Sequence, residues 1–168
     1  MLVQMVKMRE ARVFGTASAK HLDIATEAGC DVVIDYTKDD FESMVMSEIG
    51  GKGCAAVYDS VGKTTFDKSL ECCGLRATLA LFGQSSGTVQ SFEPGRLAKN
   101  GVFLTRPSLA HYTNTRDELL WRAEDVLGWI GSGKLKLRID REVPLRDAAE
   151  AHRALEARET TGKVLLIP

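Results

Sequence analysis

The first part of the chain alternates short apolar runs with stretches of helical spacing. The runs are nearly continuous in valine, isoleucine, leucine and alanine, which is typical of strands covered on both faces of a parallel sheet. They predict strands at 12–16, 31–36, 55–59, 76–82 and 102–105. Because helical stretches separate them, the pattern favours βαβ units and an α/β fold with a doubly wound, Rossmann-type parallel sheet.

Helices between these strands are predicted from capping residues as well as from spacing. Ser18 is a candidate N-cap for a helix that ends at Ala28, with Gly29 as its left-handed C-cap. Further helices are predicted over 40–49 and 64–73. The first ten residues have helical apolar spacing without an N-terminal cap, so they are predicted to end a helix that begins before the printed sequence.

The pattern changes after residue 110. A long helix with one apolar stripe is predicted over 115–130, and a polar–apolar alternation predicts a strand over 135–139. A helix over 146–158 and a final strand over 163–167 follow. We therefore divide the chain into two parts, 1–110 and 111–168, although no linker marks the boundary between them.

The composition excludes several classes of function. The 44% hydrophobic and 27% charged residues are typical of a folded, soluble protein. The net charge of −1 provides no basic field for nucleic acid or an acidic membrane surface. No apolar run approaches the roughly 20 residues that cross a bilayer. Charges at Lys7, Arg9 and Glu10 argue against a signal peptide, so a cytoplasmic location is expected.

The four cysteines and three histidines do not have the spacing of a metal site. Cys30 and Cys54 lie in apolar surroundings, whereas Cys72 and Cys73 are adjacent and so do not form a Cys-x-x-Cys pair. Reduced, structural thiols are therefore expected, and no metal ligand is assigned.

The turn after the first predicted strand carries the most informative chemistry. Ligands of open α/β sheets bind at the carboxyl ends of the strands, and a site for NAD has an acidic residue close to this position. The turn at 15–20 (GTASAK) contains no acid. Ser18, Lys20 and a helix start together suit a 2′-phosphate, and Tyr36 ends the adjacent strand. The alternative is that Ser18 only caps a helix and Lys20 is only a solvated side chain.

An ordered set of short motifs covers almost the whole chain and resembles one enzyme family. The motifs are ARVFGTASAK at 11–20, AGCDVVIDY at 28–36, YDSVG at 58–62, FGQSSG at 82–87 and GKVLLIP at 162–168. They resemble the quinone oxidoreductase (zeta-crystallin-like) branch of the medium-chain dehydrogenase/reductase superfamily. The resemblance implies a two-domain, often dimeric, zinc-independent enzyme that transfers a hydride from NADPH to a quinone or another enone.

The resemblance also implies a cofactor site, without assigning a catalytic residue. It places Ser18, Lys20 and Tyr36 at the adenosine 2′-phosphate, beside Gly15. Two loops would lie along the ribose and nicotinamide side of NADPH; their residues are Asp59, Ser60, Val61, Gly62, Phe82, Gly83 and Gln84. Arg158 matches an arginine that reaches the phosphate region, although an arginine at a helix end commonly caps carbonyl groups instead.

The family's Gly-rich pyrophosphate loop is not among the printed residues. In this family that loop and a strand precede the helix that would end in the first ten residues, and a GroES-like substrate domain precedes both. We therefore expect 1–110 to be a partial NADP-binding Rossmann domain that binds NADPH poorly by itself. The segment 111–168 is expected to return toward the substrate domain, so its apolar stripe would face an unfilled interface.

Three functions are left open by the sequence. The favoured one is part of an NADPH-dependent quinone oxidoreductase-like enzyme, because hydride transfer is cofactor chemistry that needs no local acid–base pair. The second is an enoyl or alkenal reductase of the same superfamily. The third is a non-catalytic, nucleotide-binding homologue that dimerises. A homodimer is expected through an apolar edge strand between Val102 and Thr105.

Overall fold

A computed structural model describes residues 1–157 and 159–168. The helices are α1 (Leu2–Lys7), α2 (Leu22–Glu27), α3 (Phe41–Glu48), α4 (Phe66–Glu71), α5 (Leu109–Tyr112), α6 (Arg116–Gly131) and α7 (Ala148–Glu156). The strands are β1 (Phe14–Ala17), β2 (Val32–Asp35), β3 (Cys54–Asp59), β4 (Cys73–Leu81), β5 (Phe103–Thr105), β6 (Ile139–Pro144) and β7 (Lys163–Ile167). All five strands predicted before residue 110 and the final strand are confirmed, with small shifts at their ends.

The strands form three parallel sheets, which confirms the α/β class. β1 pairs with β2, β4 lies between β3 and β5, and β6 pairs with β7. A doubly wound sheet places its first strand between the second and the fourth. Without that strand, a sheet of this kind is divided into two groups of strands. The same division is seen here, because β1 and β3 are each paired on one side only within the described residues.

Two clusters of buried side chains hold the first two sheets together with their helices. One cluster joins α4 to β4 and includes Phe66 and Leu79, with the Phe66 ring packed edge-on against Phe92 at 5.1 Å. The other joins Ile34 of β2 to α3, and partly buried side chains from both β1 and β3 pack against it. The two unconnected sheets therefore share a core, although they share no ladder of hydrogen bonds.

Helix α1 is tied to the start of the first sheet by one carboxylate. Asp31 accepts hydrogen bonds from Lys7 Nζ at 2.8 Å and from the Val13 amide at 2.7 Å. The Lys7 contact contributes most to lowering the pKa of Asp31 below its usual range. Gly29 ends α2 with a φ of 99°, as predicted for a left-handed C-cap.

The C-terminal strand pair is closed by a second carboxylate. Asp140 accepts from the amide and the hydroxyl of Thr161, each at 3.0 Å, and Arg141 Nε lies 2.7 Å away. The Thr161 amide, followed by Arg141, lowers the pKa of Asp140 to about 2. Ala151 and Ala154 of α7 are buried in this part of the chain.

Two features differ from the predictions. The strand predicted over 135–139 is wrong, because β6 begins only at Ile139. The helix predicted from Ser18 to Ala28 begins instead with a 3-10 turn, Ala19–His21, and its α-helical part is Leu22–Glu27. The apolar stripe predicted for α6 lies uncovered: no residue of this helix is buried, and Leu119, Trp121 and Leu127 are exposed. No helix of the described residues is long and apolar enough to span a bilayer.

Candidate functional site

The first group of predicted site residues, Ser18, Lys20 and Tyr36, follows the ends of β1 and β2. Ala17 lies opposite Asp35 in the parallel register, and the Tyr36 amide donates to the Ala17 carbonyl at 3.2 Å. Ser18 and Tyr36 therefore leave neighbouring strands at the same edge. Lys20 is exposed, and the Tyr36 side chain is 53% exposed, so both are accessible to a ligand.

Ser18 does not cap a helix with its side chain. Its backbone is extended, and its hydroxyl lies 3.1 Å from Nδ1 of His21 rather than at a backbone amide. Ser18 therefore lies at the predicted N-cap position, but its side chain does not form the cap. His21 was missed by the sequence argument, although its position three residues after Ser18 brings the two side chains to one side of the turn.

Asp35 adds a buried negative charge next to this group. Its Oδ1 accepts from the Thr37 hydroxyl at 2.6 Å and from the Thr37 amide at 3.1 Å. Its Oδ2 accepts no hydrogen bond and faces Lys38 Nζ at 3.7 Å. The Thr37 hydroxyl contributes most to lowering the pKa of Asp35, so the carboxylate is ionised at neutral pH. Sequence spacing gave no signal for the unpaired oxygen.

Gly15 lies in β1, where a side chain would have no room. A Cβ atom at this position would clash with Sγ of Cys30. The absence of a side chain therefore allows the strand and the turn after α2 to approach each other closely. Arg158 lies outside the described residues.

The second group begins at the end of β3, where Asp59 organises the first loop, residues 60–65. Oδ1 of Asp59 accepts from the amides of Val61 and Gly62 at 2.8 and 3.0 Å. Its other oxygen accepts from the hydroxyls of Thr65 and Ser69 at 2.8 and 2.9 Å. Asp59 is 4% exposed, so these contacts take the place of water.

The second loop, residues 82–87, follows β4 and is joined to the first loop by backbone contacts. The Ser86 amide and hydroxyl both donate to the Val61 carbonyl, at 2.9 and 2.7 Å. The Ser85 amide donates to the Ser60 carbonyl at 3.2 Å. A Cβ on Gly62, whose φ is 87°, would lie 2.9 Å from the Gly87 carbonyl oxygen. The two loops therefore form one tightly packed unit.

Thr65, Ser69 and Ser86 were not predicted as site residues. Thr65 and Ser69 are four residues apart, so both face Asp59 from the start of α4. This spacing of four residues was the signal in the sequence that could have identified Thr65 and Ser69. Ser60, Phe82 and Gln84 are exposed at the outer surface of the two loops.

The two groups lie on different sheets, and no hydrogen bond among the described residues joins them directly. A cavity of about 630 Å³ lies away from both, between α1, α2 and the C-terminal segment. Lys136, Arg138 and Lys163 line it, but Arg138 also approaches Glu27 at 3.6 Å. None of the predicted cofactor residues lines this cavity.

Comparison with known proteins identifies clear relatives. A family model described as a zinc-binding dehydrogenase matches residues 28–166. Quinone oxidoreductase 1 of Escherichia coli (strain K12) is 38% identical over an alignment of 169 positions that covers 98% of this chain and 52% of that protein. The 2-haloacrylate reductase of a Burkholderia species is 35% identical over 94% of this chain and 48% of its own length.

A solved structure of Escherichia coli quinone oxidoreductase complexed with NADPH superposes with a TM-score of 0.89. It is 38% identical, and the match covers 99% of this chain and 52% of that one. The chain thus spans about half the length of the relatives it matches.

Proposed function

This chain belongs to the zinc-binding dehydrogenase family, in its quinone oxidoreductase branch, and from that membership we propose that it supplies part of the cofactor site of an NADPH-dependent reductase. The reaction is hydride transfer from NADPH to a quinone or another enone. The nicotinamide ring supplies the hydride when the cofactor is bound. The residues of this chain bind and orient the cofactor.

The observation that carries the proposal is the donor set at the ends of β1 and β2. Ser18, Lys20 and Tyr36 offer two hydroxyls and a cation at one sheet edge, and the turn between Gly15 and Lys20 contains no carboxylate. Such a set fits a 2′-phosphate, because charge-assisted hydrogen bonds from hydroxyls and an ammonium group stabilise the dianion. The same turn would give a free 2′-hydroxyl no acidic acceptor.

The two packed loops are proposed as the wall along the ribose and nicotinamide half. The residues assigned to it are Asp59, Ser60, Val61, Gly62, Phe82, Gly83 and Gln84, and Arg158 is kept as a proposed phosphate contact. Support comes from the position of both loops at the carboxyl ends of neighbouring parallel strands, where open α/β sheets bind ligands. We also retain the division into 1–110 and 111–168 as a proposal.

The family description mentions zinc, but the described residues do not fit a zinc ion. No three His, Cys, Asp or Glu side chains are grouped for a metal in the part of the chain that the structure describes. Cys72 and Cys73 are buried in different clusters, and burial raises their pKa values to about 12 and about 11. A ligating thiol must be deprotonated, so no step is assigned to zinc.

The adenosine half of the proposal can be tested separately on this chain. Adenosine 2′,5′-bisphosphate is expected to bind at least about tenfold more tightly than adenosine 5′-monophosphate, as measured by NMR titration. Lys20→Ala should remove about tenfold of that preference. Lys52→Ala is the matched control, because Lys52 is equally exposed but lies at the amino end of β3. Equal affinity of the wild-type chain for both nucleotides would contradict the proposed NADPH site.

A second candidate is reduction of an α,β-unsaturated acid or aldehyde. The specific support is the similarity to the Burkholderia 2-haloacrylate reductase. Rates of NADPH oxidation with a panel of quinones and a panel of enals and acrylates distinguish the two, measured on a polypeptide of the relatives' length that contains this chain.

We further propose a homodimer through β5, between Val102 and Thr105. β5 pairs with β4 on one side only within the described residues, and Phe103 is 64% exposed. An unpaired apolar edge favours addition of a second strand. Sedimentation at tens of micromolar is expected to show a dimer that Phe103→Lys converts to monomer. A wild-type chain that stays monomeric would contradict the proposed dimer. It would also reject the alternative function of a non-catalytic homologue that dimerises.

A further inference from the structure

We propose that Asp59 is a positioning residue that fixes both loops of the nicotinamide wall without touching the cofactor. The inference rests on the proposed function and assigns Asp59 a different role from its loop neighbours. Sequence resemblance places Asp59 and six residues of the two loops beside the ligand. The contacts of the Asp59 carboxylate distinguish it from the other six.

The carboxylate has no capacity left for a ligand. Its two oxygens offer about four acceptor positions, and four donor groups of the chain itself face them. The donors are Val61 N, Gly62 N, Ser69 Oγ and Thr65 Oγ1, whose single proton is shared between the two oxygens. The side chain lies beneath the loop, and only 4% of the residue is exposed.

The backbone of Asp59 extends this control to the second loop. Its carbonyl oxygen accepts from the amides of Phe82 and Gly83, at 2.9 and 3.3 Å. The first loop then holds the second, because the carbonyls of Ser60 and Val61 accept from Ser85 and Ser86. A change in the path of residues 60–62 must therefore move the acceptors that hold Ser85 and Ser86.

The variant Asp59→Asn separates this role from general stability. Asparagine keeps one oxygen for the amides of Val61 and Gly62, and the rotatable Ser69 hydroxyl can accept from the new amide group. The shape of the buried side chain is retained, and the charge-assisted strength of the contacts is lost. Asp67→Asn is the matched control, since it is the same substitution on α4, the helix that carries Ser69, at a side chain that is 74% exposed.

Amide hydrogen exchange on the full chain tests the coupling. In Asp59→Asn the amides of Ser85 and Ser86 should exchange about tenfold faster, although neither contacts the carboxylate, while the core amide of Leu79 should be unchanged. Acceleration confined to residues 61–65 would overturn the coupling of the loops. If the Leu79 amide also exchanges about tenfold faster, the same comparison of the Ser85, Ser86 and Leu79 amides is made in Ser69→Ala, which removes a single contact of Asp59.

The ligand arm uses reduced nicotinamide mononucleotide and NMR. Wild-type amides at 60–62 and 83–84 should shift on titration, and Asp59→Asn should weaken this binding about tenfold while leaving adenosine 2′,5′-bisphosphate unaffected. Wild-type binding of the adenosine ligand without shifts in the loops would overturn the nicotinamide wall. Failure of both ligands would reject the proposed function, whereas the exchange data would still decide the coupling of the loops.

Discussion

Replacing Leu79 with alanine should lower the free energy of unfolding by about 4 kcal/mol, because it leaves a cavity in the most enclosed strand. Leu79 is fully buried in β4, opposite Val57 of β3 and Leu104 of β5. Its side chain belongs to the cluster that contains Phe66 of α4. Strands fixed on both sides cannot close around the space of the deleted isopropyl group, so the cost of the cavity adds to the lost transfer free energy.

Leu75→Ala is the matched control, since it is the same substitution in the same strand. Leu75 is 73% exposed, and its loss is expected to change stability by less than about 0.5 kcal/mol. Urea denaturation followed by circular dichroism gives both values, provided that the dependence on denaturant is the same for the three proteins. A cost below about 1 kcal/mol for Leu79→Ala would mean that the three-stranded sheet is loosely packed.

The strands of residues 1–110 were predictable because their apolar runs suit only strands that are covered on both faces of a sheet. A continuous run such as residues 31–36 must be covered on both faces, and flanking glycine and aspartate turns limit its length. One helix start also agrees with its prediction, although the Ser18 side chain makes no cap. Asp40 accepts from the Glu42 amide at 3.1 Å at the start of α3, where the helix was predicted to begin.

The wrong strand over 135–139 shows where periodicity fails. Its alternation of leucine with lysine and arginine suits an exposed strand. However, the side chain of Gln4 forms hydrogen bonds with backbone groups of this segment. Oε1 of Gln4 accepts from the Lys136 amide at 2.7 Å, and Nε2 of Gln4 donates to the Lys136 carbonyl at 3.2 Å. Both groups that a ladder would use are taken, and the donor and acceptor lie 132 positions away in sequence. The periodicity of a short segment cannot predict a contact with a residue so distant in sequence.

The candidate site divides in the same way. The residues at the strand ends were predictable from strand positions and resemblance, since parallel strands bring their carboxyl ends to one edge. The contacts among the loops were not. Ser86 and Val61 are 25 residues apart, and only the packing of β3 against β4 brings them together. His21 and Asp35 were missed because their roles depend on which neighbour their polar atoms meet.

Replacing Gly83 with alanine should destabilise the chain by about 3 kcal/mol and abolish the nicotinamide-side contacts, because the two loops can no longer touch. A Cβ on Gly83 would overlap the carbonyl oxygen of Ser60 and lie 2.8 Å from its Cα. These atoms are backbone, so no rotamer change relieves the clash. The loops must separate, which breaks the Ser85–Ser60 hydrogen bond and exposes the buried Asp59 carboxylate.

Gly128→Ala is the matched control and should have the opposite sign. Gly128 lies within α6, and a Cβ there would meet no atom within 4 Å. Alanine should therefore stabilise that helix by about 0.5–1 kcal/mol, since it restricts the unfolded chain and favours helical backbone. Urea midpoints and titration with reduced nicotinamide mononucleotide give both readouts. The contrary result is a Gly83→Ala chain that keeps its stability and its chemical-shift changes at residues 60–62 on titration. That result would contradict a role of the close contact between Gly83 and Ser60 in shaping the cofactor wall.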